Sequence, residues 1–153
     1  MNKELFKNFR RGFTLIELLI VIAIIGVLAA LLMANFVGVR ERARDAQRKS
    51  DLRQIQSALE LYRADKGTYP DAISCGNIFS DVTVTTTYMS KVPCDPLNTA
   101  PFVYTYTSVN SNSGYYIYTC LENINDSQKD TSNNSTSCSD PTTPSWSFTV
   151  QNP

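Results

Sequence analysis

The side chains of this chain that could do chemistry fall into three sets with different surroundings. Glu17 stands in a stretch otherwise built of Leu, Ile, Val, Ala and Gly. A carboxylate there is costly, on the order of 3 kcal/mol on membrane-insertion scales, and so signals a partner or a function. The second set is four cysteines, Cys75, Cys94, Cys120 and Cys138, all in the C-terminal half. In an exported domain an even count reads as disulfides, and four cysteines allow three connectivities. We favour the sequence-local pairs Cys75–Cys94 and Cys120–Cys138, because each closes one loop-rich segment and would contribute about 3 kcal/mol in the chain-entropy model. The third set is the oxygen-bearing side chains Glu122, Asn125, Asp126 and Asp130 in a polar C-terminal stretch. A hydrated acidic loop is the preferred reading, and no cofactor is expected. With no histidine and no C-x-x-C spacing, neither a zinc site nor a nucleophile–base pair can be assembled, and there is no Gly-rich phosphate loop. The chain does not read as an enzyme.

The elements that must position these residues follow from periodicity. A basic leader runs from Lys3 to Arg11, Gly12 ends it, and from Leu18 to Val39 there are 22 residues without a charge. About 20 residues at ~1.5 Å each cross a hydrocarbon core, so this is a membrane helix. A secretory signal has an apolar core of only about 7–15 residues before its cleavage site. Beyond it, Arg40 to Lys66 is rich in good helix formers and lacks Gly and Pro, and Leu52, Ile55, Leu59 and Tyr62 form one apolar stripe. Gly67 and Pro70 stop the helix. The expected boundaries are a leader over 1–12, an apolar half-helix over 13–39, an amphipathic half-helix over 40–66 and a globular head over 67–153. Within the head, residues 71–101 are expected to form an irregular αβ-loop with one short strand or turn of helix, Val82-Thr83-Val84-Thr85 being β-prone and Pro93-Cys94-Asp95-Pro96 turn-rich. Strands are expected at 102–107, 115–121 and 146–150, with a loop over 108–114. The fold class is α+β: one long N-terminal helix, about 13–66, packed on a small antiparallel sheet.

Arg10-Arg11-Gly12-Phe13-Thr14-Leu15-Ile16-Glu17-Leu18 resembles the prepilin-type cleavage and methylation motif of type IV pilins and type II secretion pseudopilins. The resemblance is strongest over residues 10–70, including Gly67-Thr68-Tyr69-Pro70. It implies cleavage by a prepilin peptidase between Gly12 and Phe13, N-methylation of Phe13, and pairing of Glu17 with the N-terminal amine of a neighbouring Phe13 during assembly. It also implies a bacterial inner-membrane subunit with its head outside, held in membrane lipid before assembly. An inner-membrane assembly platform would then add it to a helical filament of its own copies, at the cell surface or in the periplasm. Many family members carry proline where this chain has Ala34, so a straighter helix is expected here. In some relatives a calcium ion lies near the C-terminal loops, and the resemblance makes Glu122, Asn125, Asp126 and Asp130 suitable oxygen ligands, at a spacing that matches no defined calcium loop. The primary expectation is a subunit of a type IV pilus-like filament. The alternatives are the major pseudopilin of a type II secretion system and a minor pilin acting as a ligand or DNA-uptake receptor.

Charge bears on the last alternative. The formal net charge of zero hides a gradient: residues 36–66 carry eight Lys/Arg against five Asp/Glu, and residues 67–153 carry two against seven. Phosphate attraction needs clustered Lys and Arg, so an acidic head argues against nucleic acid as a partner. The charges of the helix, Glu41–Arg44, Asp45–Arg48–Lys49 and Asp51, read either as a solvated face or as a surface for the acidic heads of neighbours. Six of the eight tyrosines lie between Tyr88 and Tyr118, where alternation makes them half-buried strand residues before it makes them a binding surface.

Overall fold

The computed structural model describes residues 12–33, 36–81, 85–134, 136–138 and 144–152. Most of the leader, the passage through Ala34 and Asn35, and Val82 to Val84 lie outside the described residues. Two helices are seen, α1 over Leu15–Met33 and α2 over Phe36–Lys66. The chain divides into two compact units, one ending at Val37 and one running from Gly38 to Pro153.

Helix α1 is apolar on every side, so it has no face to turn inward, and none of its residues is buried. It is long and apolar enough to cross a membrane. Helix α2 is built differently. Leu52, Ile55 and Leu59 are buried to 2% exposure or less, and Tyr62 packs against the same cluster. Each such aliphatic side chain contributes about 1.5–3 kcal/mol relative to exposure. The helix ends at Gly67, whose φ of +78° is the left-handed conformation glycine adopts at no steric cost. Its N–H bonds the Arg63 carbonyl at 2.7 Å, which closes the last turn.

Among the described residues five strands follow, all paired antiparallel. Strands β1 (Phe79–Ser80) and β2 (Thr87–Met89) make a small ladder, while β3 (Thr105–Val109), β4 (Gly114–Leu121) and β5 (Trp146–Gln151) form a sheet in that order. The register runs from Thr105 opposite Tyr118 to Val109 opposite Gly114, and from Leu121 opposite Trp146 to Tyr116 opposite Gln151. Side-chain alternation places Tyr115, Ile117 and Leu121 in the core with Tyr69, Phe79, Val92 and Phe148, while Tyr116 and Tyr118 face outward. The result is the expected α+β arrangement of a long N-terminal helical region and a small antiparallel sheet.

Two details depart from the expectations. Strand β3 starts at Thr105, not at Phe102, and continues through Val109 into what was expected to be loop. Pro101 has no amide hydrogen for a ladder, and Phe102 instead forms an isolated bridge with Thr99 across a cis Ala100–Pro101 peptide. The connection to β4 is correspondingly tighter, with Asn110, Ser111 and Asn112 all at positive φ. The irregular segment also holds two short strands, not one. Cys75 is bonded to Cys94 and Cys120 to Cys138, with Cα–Cα distances of 5.0 and 5.4 Å, within the ordinary disulfide range.

Candidate functional site

Gly12, Phe13 and Thr14 precede the first helical residue and carry no regular structure. Phe13 is 80% exposed, and nothing lies within 4 Å of where a Cβ on Gly12 would project. Among the described residues, both sides of the Gly12–Phe13 bond are thus exposed. Immediately after it, Thr14 and Glu17 cap α1 reciprocally. The Thr14 N–H and hydroxyl donate to Glu17 Oε2 at 2.9 and 2.7 Å, and the Glu17 N–H donates to Thr14 Oγ1 at 3.3 Å. This is a capping box, which satisfies N–H groups that the first turn of any helix leaves orphaned. Glu17 thus has a partner within its own chain, and its charge sits at the positive end of the helix dipole. The pattern T-x-x-E ahead of an apolar run is readable in sequence, and it is the signal by which Thr14 would have been singled out.

A second cluster joins α2 to the head. Arg48 is fully buried. Its Nε and Nη2 donate to Asp95 at 2.7 and 3.1 Å, and its Nη1 donates to Asp45 and to Glu122 at 2.7 Å each. The guanidinium lies 4.8 Å from the Phe102 ring centroid, and Phe102 packs with Cys120 and Cys138. Arg44 donates twice more to Glu122, and Asp45 accepts from the N–H groups of Glu122 and Asn123 at 3.0 and 2.8 Å. Burial alone would lower the Arg48 pKa, but the hydrogen bonds Arg48 donates to Asp95, Glu122 and Asp45 outweigh it and hold the charge firmly. Burial likewise pushes Glu122 up, and Arg44 and Arg48 pull it further down, leaving it below the usual carboxylate range.

Two further cations of α2 are spent in the same way. Lys49 pairs with Asp126 at 2.7 Å and Lys66 with Asp81 at 3.2 Å. The asymmetry of basic helix and acidic head is therefore largely consumed inside one subunit. Asp45, Arg48 and Lys49 form neither a solvated face nor a surface left for neighbours. Tyrosine hydroxyls add to the same seam: Tyr104 donates to Asp51 at 2.8 Å, and Tyr69 and Tyr115 donate to Glu60 at 2.9 and 3.3 Å.

Residues 7–33 match the family described as the prokaryotic N-terminal methylation motif, and residues 35–137 match type II secretion system (T2SS) protein G. The second match covers more than half of the chain. The chain belongs to the type II secretion system protein G family. Among characterised relatives, the type II secretion system core protein G of Pectobacterium carotovorum is 44% identical over 61 residues, 40% of this chain and 39% of that protein. The core protein G of Escherichia coli is 44% identical over 61 residues, 40% of this chain and 42% of that protein. The type IV major pilin protein PilA of Myxococcus xanthus is 39% identical over 71 residues, 46% of this chain and 32% of that protein. The chain thus spans less than half the length of these relatives. No solved structure matches it.

Within this protein G family member the three carboxylates among the oxygen donors considered for calcium go to separate partners. Glu122 is held by Arg44 and Arg48, and Asp126 by Lys49 and the Gln128 N–H. Asp130 accepts from the Thr149 N–H and hydroxyl at 3.0 and 2.6 Å. The backbone N–H of Asn125 donates to Asn123. Sequence reasoning missed Arg48, yet Asp45 and Arg48 continue the Leu52–Ile55–Leu59 stripe backward in steps of four and three, which marks them as facing the head.

Proposed function

We propose that the protein is a structural subunit, not an enzyme, processed between Gly12 and Phe13 and polymerised through α1 into a filament of its own copies. The observation that carries this reading is α1 itself: a fully exposed apolar helix, capped by Thr14 and Glu17, starting three residues after Gly12. Such a surface is stable only in lipid or against other copies. The head's match to protein G over residues 35–137 favours a type II secretion filament. The likeness to the Myxococcus major pilin over 71 residues supports a surface pilus as the second reading. A net head charge of minus five works against the DNA-receptor alternative.

In this reading a membrane peptidase removes residues 1–12 and Phe13 becomes the methylated N-terminus. Glu17, already held at the helix mouth by Thr14, then accepts the amine of a neighbour's Phe13 as that subunit enters from the inner membrane. Mass spectrometry of the mature chain tests the first step, with a methylated N-terminal Phe13 expected and any other N-terminus refuting it. Glu17→Ala, expressed with the cognate assembly machinery, tests the second. The expected product is cleaved and membrane-resident but absent from sheared filaments, and a normal filament yield would refute the role of Glu17.

A further inference from the structure

The segment from Glu122 to Asn134, between β4 and β5, gathers acidic side chains in the region where the family resemblance implies that some relatives hold calcium. Calcium takes six to eight oxygens at about 2.3–2.6 Å. Here the three carboxylates Glu122, Asp126 and Asp130 are engaged elsewhere, and the positive charge is supplied by side chains. Lys129 extends its ammonium onto the Ile124 carbonyl at 2.6 Å, across the base of the loop. The same nitrogen lies 4.1 Å from the centroid of the Trp146 ring, a cation–π contact. Trp146 in turn donates its indole N–H to the Asp130 carbonyl at 2.7 Å. Lys49 neutralises Asp126, and Arg44 with Arg48 neutralises Glu122, at 2.5–2.7 Å.

We infer that the chain's own cations, Lys129 at the centre with Lys49 and the Arg44–Arg48 pair, close this loop in the role a divalent ion would otherwise fill. The head therefore folds without calcium. Gathering Glu122 and Asp126 on one ion would break their ion pairs and leave buried Arg48 short of a partner, a cost the ion would have to repay. An ammonium tethered to the loop needs no free ligand and cannot be removed by a chelator.

The test uses the full-length chain in detergent micelles. Trp146 is the single tryptophan of the chain, so its emission reports on this loop alone. Titration with millimolar calcium chloride, then with excess EDTA, is expected to leave both the emission and the melting temperature unchanged. Lys129→Met keeps the aliphatic stem and removes the ammonium. It should shift Trp146 emission and lower the melting temperature by about 3–8 °C, again with no response to calcium. A saturable emission change or a rise of several degrees with calcium in the unaltered protein would overturn the inference, because an ion bound at many times its Kd must stabilise. Melting of Lys129→Met at the unaltered temperature would overturn it equally. If Lys129→Met does not fold, the charge is shown to be essential, and the calcium titration of the unaltered chain still decides the other half.

Discussion

Replacing Arg48 by methionine keeps most of the side-chain volume and deletes four hydrogen bonds to three carboxylates. The consequences differ among the partners. Glu122 keeps Arg44, and Asp45 keeps two backbone N–H donors. Asp95, 4% exposed, keeps the Leu97 N–H at 2.9 Å and a long contact with Thr119 at 3.5 Å. It is therefore left as a buried charge without a counter-charge, and breaking such a pair costs about 3–5 kcal/mol. For a unit of this size that corresponds to a fall of about 10–20 °C in melting temperature. Asp95→Asn in the Arg48→Met background removes the orphaned charge and should recover at least about 1 kcal/mol, a coupling read from the double-mutant cycle. Thermal melts of the four proteins in the same detergent, followed by far-ultraviolet circular dichroism, measure both quantities. A single variant melting within about 2 °C of the unaltered protein, or strictly additive effects, would show that the cluster does not fasten α2 to the head.

Thr14→Val removes the hydroxyl of the capping box, worth about 1 kcal/mol. Filament yield should fall between those of the unaltered protein and Glu17→Ala, Thr14→Ser should restore it, and sheared-fraction gels read the difference. Cys120→Ser with Cys138→Ser opens a loop of 18 residues and should cost about 3 kcal/mol, measured by urea unfolding. Acid stability follows Glu122 and Asp126, whose folded-state pKa values lie below their ordinary values of 4.5 and 3.8. Their contribution is complete above those values and is lost as pH falls through the folded ones, so the melting temperature should hold down to about pH 5 and decline below it. Asp51, raised by burial despite its bond from Tyr104, has the opposite sign and offsets a small part of that decline.

Local information sufficed for much of this protein. The uncharged run, the Leu52–Ile55–Leu59 stripe, the glycine stop at Gly67 and the alternation of Tyr115–Leu121 and Trp146–Val150 each specify an element, because period and punctuation act over a few residues of chain. The α+β architecture follows, since these faces can be buried only against one another. The capping role of Thr14 was equally local and equally readable. What the tertiary structure alone decided is where the charges go. Asp45, Arg48 and Lys49 have the composition of an ordinary solvated helix face, although the first two lie on the backward extension of the apolar stripe, and Glu122 and Asp126 have the composition of a hydrated loop. Their partners lie 74 to 78 residues apart in sequence, beyond the reach of any periodic pattern. Folding places α2 against the end of β4, excludes water there, and leaves each carboxylate no comparable partner but the helix's own cations. The start of β3 was decided in the same way: β-propensity favoured Phe102, but its burial beside the Cys120–Cys138 bridge outweighed pairing in a ladder that Pro101 cannot join.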